Sequence, residues 1–167
     1  MVEKYKFDAS AEDGFIRIPQ KFMRCKAYIN WAGTKESAVY FHLRGFIIRR
    51  AINTGTKKIY ERFYEKGFIA SNFSQEDLAY NLTGKESNQG NISRYTKSLA
   101  EKGLVKIKRV KTPLGWCNIY IFGTHDFNGH EAYYLDKYFS DKLLAEKTEK
   151  MIRDVNEYNA LSDPDEW

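Results

Sequence analysis

Apolar residues recur at intervals of three and four between Glu36 and Ala51, which is the spacing of one helix face. The apolar positions are Val39, Tyr40, Leu43, Phe46 and Ile47. A shorter helix is predicted over Lys57–Lys66, with Gly67 as its C-cap. The pattern therefore predicts two helices, each with one side turned toward a core.

Two short, closely spaced helices are predicted next. Ser74-Gln75-Glu76-Asp77 has the form of a capping box and predicts the start of the first helix, which ends at Thr83-Gly84. The second helix is predicted from about Asn88 to Lys102, ending at Gly103. Its core positions are Ile92, Tyr95 and Leu99. Two short helices joined by a glycine-containing turn are typical of a helix-turn-helix.

The hydrophobic period changes from a helical value to two after Gly103. Leu104–Val110 alternates apolar and basic residues, Thr112–Gly115 has turn chemistry, and Cys117–Phe122 is a second strand candidate. On the first strand, we expect Val105, Ile107 and Val110 to face the core, with the basic residues outward. Helices followed by a β-hairpin predict a winged helix over residues 36–123, in an α+β, mainly α fold.

The two ends of the chain are predicted to extend this domain. Residues 1–35 form an arm with an edge strand at Phe15–Ile18, ended by Pro19, because proline cannot donate to a strand ladder. Phe22, Met23, Tyr28 and Trp31 are expected to lay the arm on the body. Residues 124–167 form a helical extension, with one helix from Glu131 to about Leu161. One helix face is predicted to hold Leu135, Phe139, Leu143, Met151, Ile152 and Val155. Packing on its own domain and dimer or partner docking both remain open for this face.

Composition adds a local excess of positive charge. The chain has 167 residues, 43% of them hydrophobic, and a net charge of +5. Residues 88–111 hold seven basic side chains against Glu101 alone, so this stretch is +6 and the rest of the chain is −1. An unopposed basic run is typical of a surface that meets phosphates. No apolar run is long enough to span a bilayer, and we expect a cytoplasmic protein with no membrane partner.

Candidate catalytic chemistry is sparse. Cys25 and Cys117 lack metal-ligand spacing and are expected to be reduced. The histidines form no HxH or HExxH pattern, and Gly84-Lys85 does not complete a P-loop. The pairs His125-Asp126 and His130-Glu131 are expected to be loop residues. We therefore predict no enzyme activity, no cofactor and no metal site.

The polar side of the second helix carries residue types that read DNA bases or approach phosphates. They are Gln89, Gly90, Asn91, Ser93, Arg94 and Lys97. The hairpin adds basic residues as phosphate contacts: Lys106, Lys108, Arg109 and Lys111. A solvated helix surface is the alternative for the first set. Trp116 is expected to pack in the core, with a sugar-phosphate contact as the alternative. A second basic cluster is either a backbone contact or a solvated face: Arg44, Arg49, Arg50, Lys57 and Lys58.

Several segments together resemble a known family. They are Phe15–Pro19, Gly67–Ala79, Asn91–Tyr95 and Leu99–Val105. In these segments the chain resembles the DNA-binding domain of plasmid replication initiators of the winged-helix type, related to the DnaD N-terminal domain, from low-GC bacteria. The resemblance implies binding to repeated or palindromic origin sequences, often as a homodimer, and a replisome partner such as a helicase or loader. It also implies that Asn91, Ser93, Arg94 and Lys97 contact bases or neighbouring phosphates.

Other functions remain open at this point. A transcriptional repressor or copy-control regulator would use the same fold at a differently placed site. A replisome-loading protein-interaction module is the alternative without DNA, although interface cores are usually depleted in lysine.

Overall fold

A computed structural model describes residues 16–45, 61–72, 79, 89–112 and 115–161. The α-helices are α1 (Lys26–Ala32), α2 (Lys35–Gly45), α3 (Gln89–Glu101) and α4 (Tyr134–Leu161), and a 3₁₀ helix spans Gln20–Arg24. Residues 61–65 are also helical. The strands are β1 (Phe68–Asn72), β2 (Lys106–Thr112), β3 (Gly115–His125) and β4 (Glu131–Tyr133). The fold is α+β and mainly helical, as predicted.

The helices predicted over residues 36–51, 57–66 and 88–102 agree with the structure where it describes them. In α2, Val39, Tyr40 and Leu43 are buried, as their spacing predicts. The helical segment 61–65 is followed by a turn at Gly67, the predicted C-cap, which has a φ of +84°. The predicted capping-box helix lies outside the described residues, except that Ala79 is helical and fully buried.

The predicted edge strand near the N-terminus is wrong for residues 16–18, which belong to no strand; Phe15 lies outside the described part of the chain. The carbonyl of Pro19 accepts a hydrogen bond from the Phe22 N–H at 3.0 Å, so the chain enters the 3₁₀ helix directly. The carbonyl of Arg17 faces the Arg44 guanidinium at 3.4 Å, which occupies it without a ladder.

One aromatic core joins both ends of the chain. Phe22, Tyr28 and Trp31 each lie within 6 Å, centroid to centroid, of the ring of Phe139 in α4. The arm therefore packs on the body as expected. Met23 does not take part, because it is 56% exposed.

The sheet is antiparallel, with β3 between β1 and β2 and with β4 paired to the end of β3. The last strand corrects the prediction that a helix begins at Glu131. Asp126 accepts backbone hydrogen bonds from Asn128 and His130, and this turn returns the chain alongside β3. The close pairing requires a glycine at position 123, since a Cβ there would lie 2.0 Å from the Ala132 carbonyl oxygen.

Helix α4 is divided along its length. Leu135, Phe139 and Leu143 are buried in the core, whereas Met151, Ile152 and Val155 are each at least half exposed. The prediction of one continuous apolar face is therefore wrong. Among the described helices, none is both long enough and apolar enough to cross a membrane.

Candidate nucleic-acid interface

Helix α3 is held in the main core by its apolar side and is ended by a glycine cap. Ile92, Thr96 and Leu99 are buried, and Tyr95 packs at the edge of the same core. At the C-terminus, the Leu104 N–H donates to the Leu99 carbonyl at 3.0 Å, and Gly103 adopts a φ of +78°. This Schellman arrangement reverses the chain directly into β2. The helix and the hairpin are therefore fixed relative to each other.

A buried carboxylate connects α3 to α2. Glu36 accepts hydrogen bonds from the Lys102 ammonium at 2.6 Å and from the Trp31 indole N–H at 2.7 Å. Burial by itself raises the pKa of Glu36. Hydrogen bonds from Lys102, Ser98 and Trp31, together with the Lys102 charge, outweigh this effect and hold the pKa below its usual value. Glu36 therefore stays ionised at neutral pH and anchors α3.

Sequence reasoning missed this anchor. Glu36 and Lys102 are 66 positions apart, and nothing local to either residue signals the pairing. The predicted basic stretch counted Lys102 as unopposed. Its charge is instead paired with the buried Glu36 carboxylate, so Lys102 does not belong to the candidate surface.

The polar side of α3 is exposed as predicted. Gly90, Asn91, Arg94 and Lys97 lie open to solvent, and Ser93 is half-buried. Gln89 begins the helix, but its side chain is outside the description. The Arg94 guanidinium donates to the Asn91 side-chain oxygen. Arginine and asparagine thus stand one helical turn apart on a free surface.

Gly90 is not required by packing. A Cβ at this position would meet no heavy atom within 4 Å. The open space leaves the first turn of α3 approachable from outside, which the predicted phosphate contact needs.

The two faces of the hairpin carry different basic residues. In the register of β2 with β3, Ile107 pairs with Tyr120 and Lys108 with Ile119. Tyr120 belongs to the main core, on which α3 packs, whereas Ile119 belongs to a second cluster. We call these the helix-side face and the outer face. Because strand side chains alternate, the faces take odd and even positions of β2 respectively.

This alternation corrects the predicted orientation of β2. Arg109 and Lys111 share the helix-side face with Ile107. Val110 lies on the outer face with Lys106 and Lys108, and it packs with the second cluster instead of the main core. The prediction placed Val110 with Ile107, which would require a break in the strand period. The register of β2 and β3 is continuous, so no such break exists.

On the outer face, the two lysines lie over aromatic rings. The Lys106 ammonium is 5.1 Å from the ring centre of Tyr134, and that of Lys108 is 6.0 Å from Phe63. Both side chains remain exposed, but they are on the opposite side of the sheet from α3. The structure therefore does not bring all four predicted hairpin residues together.

The far end of the helix-side face is basic and aromatic. Arg109 and Lys111 are exposed, and the Arg109 guanidinium lies 5.5 Å from the ring of Trp116. Trp116 is 60% exposed, so the expectation that it packs in the core is wrong. It pairs with Lys111 near the hairpin end, where the described helices do not cover the sheet. Its ring is available for contact.

Arg44 does not belong to a second surface cluster. It is 4% exposed, and its guanidinium lies 3.7 Å from the ring centre of Tyr133. Burial against this ring makes Arg44 part of the core. The other members of the predicted cluster, at positions 49, 50, 57 and 58, lie outside the described residues.

No group of three or more metal-ligating side chains exists within the described ranges. Neither Cys25 nor Cys117 forms a disulfide within the described ranges. His130 and Asp126 are joined within the turn before β4, at 2.8 Å. Comparisons with protein-family models, with curated protein sequences and with solved structures gave no significant match.

Proposed function

We propose that this protein binds double-stranded DNA through a surface formed by the exposed side of α3 and the distal helix-side face of the hairpin. We call this the helix-side surface; its residues are Asn91, Arg94, Lys97, Arg109, Lys111 and Trp116. The observation that carries the proposal is that these residues lie on one side of the sheet. The exposed basic residues of α3 and the distal basic residues of β2 both project on the side where α3 lies.

The charge of this surface supports an anionic partner. Within the described residues, Lys97, Arg109 and Lys111 have no ion pair. Glu101 is the exposed acidic side chain on the same helix, near its C-terminal end. Like charges held close together repel one another, and phosphates relieve that repulsion while releasing counterions.

The side chains also suit readout of a duplex. Arginine pairs with guanine in the major groove and asparagine pairs with adenine, and an α-helix fits that groove. Arg94 and Asn91 already contact each other, so each is pre-positioned beside the other. Arg109, Lys111 and Trp116 lie at the hairpin end, from which a wing would reach the flanking backbone.

A winged helix is the arrangement we propose for this surface. Helix α3 would be the recognition helix, and the β2–β3 hairpin would be the wing. Ala79, helical and buried in the same core, is consistent with a preceding helix of the helix-turn-helix. The role of the outer-face residues Lys106 and Lys108 is then to support solubility and the wing, not to hold DNA.

The resemblance to plasmid replication initiators extends the proposal to origin DNA. We propose that the bound sites are repeated or palindromic. A repressor would use the same surface on a promoter operator, so footprinting decides between them. Protection of several spaced sites in an origin supports an initiator, and protection of one operator supports the repressor.

Equilibrium binding to a selected duplex tests the proposal. Arg94→Ala should weaken that site and reduce the preference over other sequences, whereas Lys97→Ala should weaken all duplexes alike. If neither variant changes binding while the fold is intact, the helix-side surface is not the interface.

A further inference from the structure

The distal half of α4 carries an apolar stripe that no described element covers. Its positions alternate at intervals of four and three: Leu144, Thr148, Met151, Val155 and Tyr158. The four larger residues are each at least half exposed. The Thr148 hydroxyl donates to the Leu144 carbonyl at 2.8 Å, so its polar group is satisfied within the helix. Such spacing is that of a helix-pairing seam.

This stripe lies on the side of α4 that points away from the body of the protein. Phe139 and Leu143 are buried in the core, and Glu146 accepts a hydrogen bond from the Ala27 N–H at 3.2 Å. At about 3.6 residues per turn, Leu144 and Val155 project on nearly the opposite side from Phe139 and Glu146. The core formed by the described residues therefore leaves the stripe uncovered.

We propose that two copies of this chain pair through the distal stripe as antiparallel helices. The register that sets Thr148 against Met151 of the second copy also sets Leu144 against Val155 of that copy. Two-fold symmetry repeats each contact. The surface is thus complementary to itself in one specific register.

Charge complementarity selects the second copy as the occupant and fixes its direction. Lys147 and Asp154 border the stripe on one side, seven positions apart. In the antiparallel register, each Lys147 faces Asp154 of the second copy. The opposite border sets Ala145 against Ile152 in the same way. In a parallel pair, the residues on one border of the stripe face those on the opposite border in the second copy. Lys147 would then face Ile152 and form no ion pair.

The antiparallel direction also fits the rest of the molecule. The folded body lies along the N-terminal half of α4, on the side away from the stripe. In an antiparallel pair, the two bodies lie at opposite ends and on opposite sides of the helices. The described body then does not block the contact.

Cysteine cross-linking of the full chain tests the direction. In the proposed register, Leu144 contacts Val155 of the second copy. The two Leu144 residues of the pair are therefore eleven positions apart, about 16 Å along the helix. Leu144→Cys alone and Val155→Cys alone should therefore form no intermolecular disulfide. The double variant should form two intermolecular disulfides per pair, and an equal mixture of the two single variants should form one. The unsubstituted chain, with Cys25 buried and Cys117 half-buried, sets the background. Efficient cross-linking of Leu144→Cys alone would overturn the antiparallel pair.

Sedimentation equilibrium tests the charges. Lys147→Asp should weaken self-association about tenfold, because both ion pairs become repulsive. Adding Asp154→Lys to that variant should restore the affinity to within about threefold. Lys150→Asp, on the side away from the stripe, is the matched control and should change nothing. A monomer for the unsubstituted chain at about 100 µM, or no restoration in the double variant, refutes the proposal.

Discussion

Replacing Lys111 by alanine, compared with the same change at Lys108, tests which side of the hairpin meets DNA. Both lysines are exposed residues of β2 and lie on opposite faces of the sheet. Neither has an ion pair within the residues that the structure describes. The two substitutions therefore remove the same charge from the same strand. They differ in the face from which it is removed.

The size of the effect follows from counterion release. Each phosphate contact with duplex DNA contributes about 0.9 to the slope of log affinity against log salt concentration. A fourfold rise in salt, from about 50 to about 200 mM, therefore costs about 3.5-fold in affinity for each contact. Lys111→Ala should lose one such contact, and its binding should fall about 3.5-fold less over that range than binding of the unsubstituted chain. Lys108→Ala should keep the full slope.

Fluorescence anisotropy with a labelled duplex of arbitrary sequence, titrated at several salt concentrations, gives these slopes. An arbitrary sequence isolates the backbone contacts from base readout. Unfolding curves of both variants should match that of the unsubstituted chain, since both side chains are exposed. An equal loss of slope in the two variants, or a loss in Lys108→Ala alone, refutes the assignment of the helix-side face.

The remaining predictions concern readout, the carboxylate anchor and the core. Arg94→Ala should weaken a selected site by about 1–3 kcal/mol and reduce discrimination at one base position, measured by competition with mismatched duplexes. Glu36→Gln should lower the free energy of unfolding by about 1–2 kcal/mol at pH 7, measured in urea. Because the folded pKa of Glu36 is lowered, this difference is present above the unfolded pKa and shrinks as pH falls through the folded value; a difference that grows with acidity contradicts the anchor. Phe139→Ala should cost about 3–5 kcal/mol, whereas the exposed Ile152→Ala should cost less than about 0.5 kcal/mol at protein concentrations too low for pairing.

Elements whose burial depends on local periodicity were predictable from the sequence. Helix α3 lies within one residue of its predicted bounds, and Ile92 and Leu99 are buried as their spacing requires. The hairpin follows from the change of period at Gly103, whose φ of +78° ends the helix. These features depend on neighbouring residues alone, and the sequence contains that information.

Features set by distant partners were not predictable. The burial of Arg44 depends on Tyr133, and the pairing of Glu36 depends on Lys102. The division of α4 likewise depends on the aromatic residues of the N-terminal arm, which cover only its first half. The spacing of apolar residues indicates which side chains can be buried. It does not indicate which of them find a packing partner distant in sequence.

The candidate site was predictable in composition and only partly in arrangement. The exposed side of α3 agrees with the structure. The hairpin does not, because the expected break in alternation at Arg109 is absent and the basic residues divide between two faces. A strict period of two, applied from Ile107 onward, would have placed Arg109 and Lys111 on the helix-side face.

Selection from a random duplex pool, performed in parallel with the unsubstituted chain and with Arg94→Ala, tests the central claim most directly. We predict that the unsubstituted chain enriches a defined sequence and that the variant loses preference at one position while still binding duplexes. Failure of the unsubstituted chain to retain any duplex at about 50 mM salt, where backbone contacts are strongest, would contradict DNA binding by this surface.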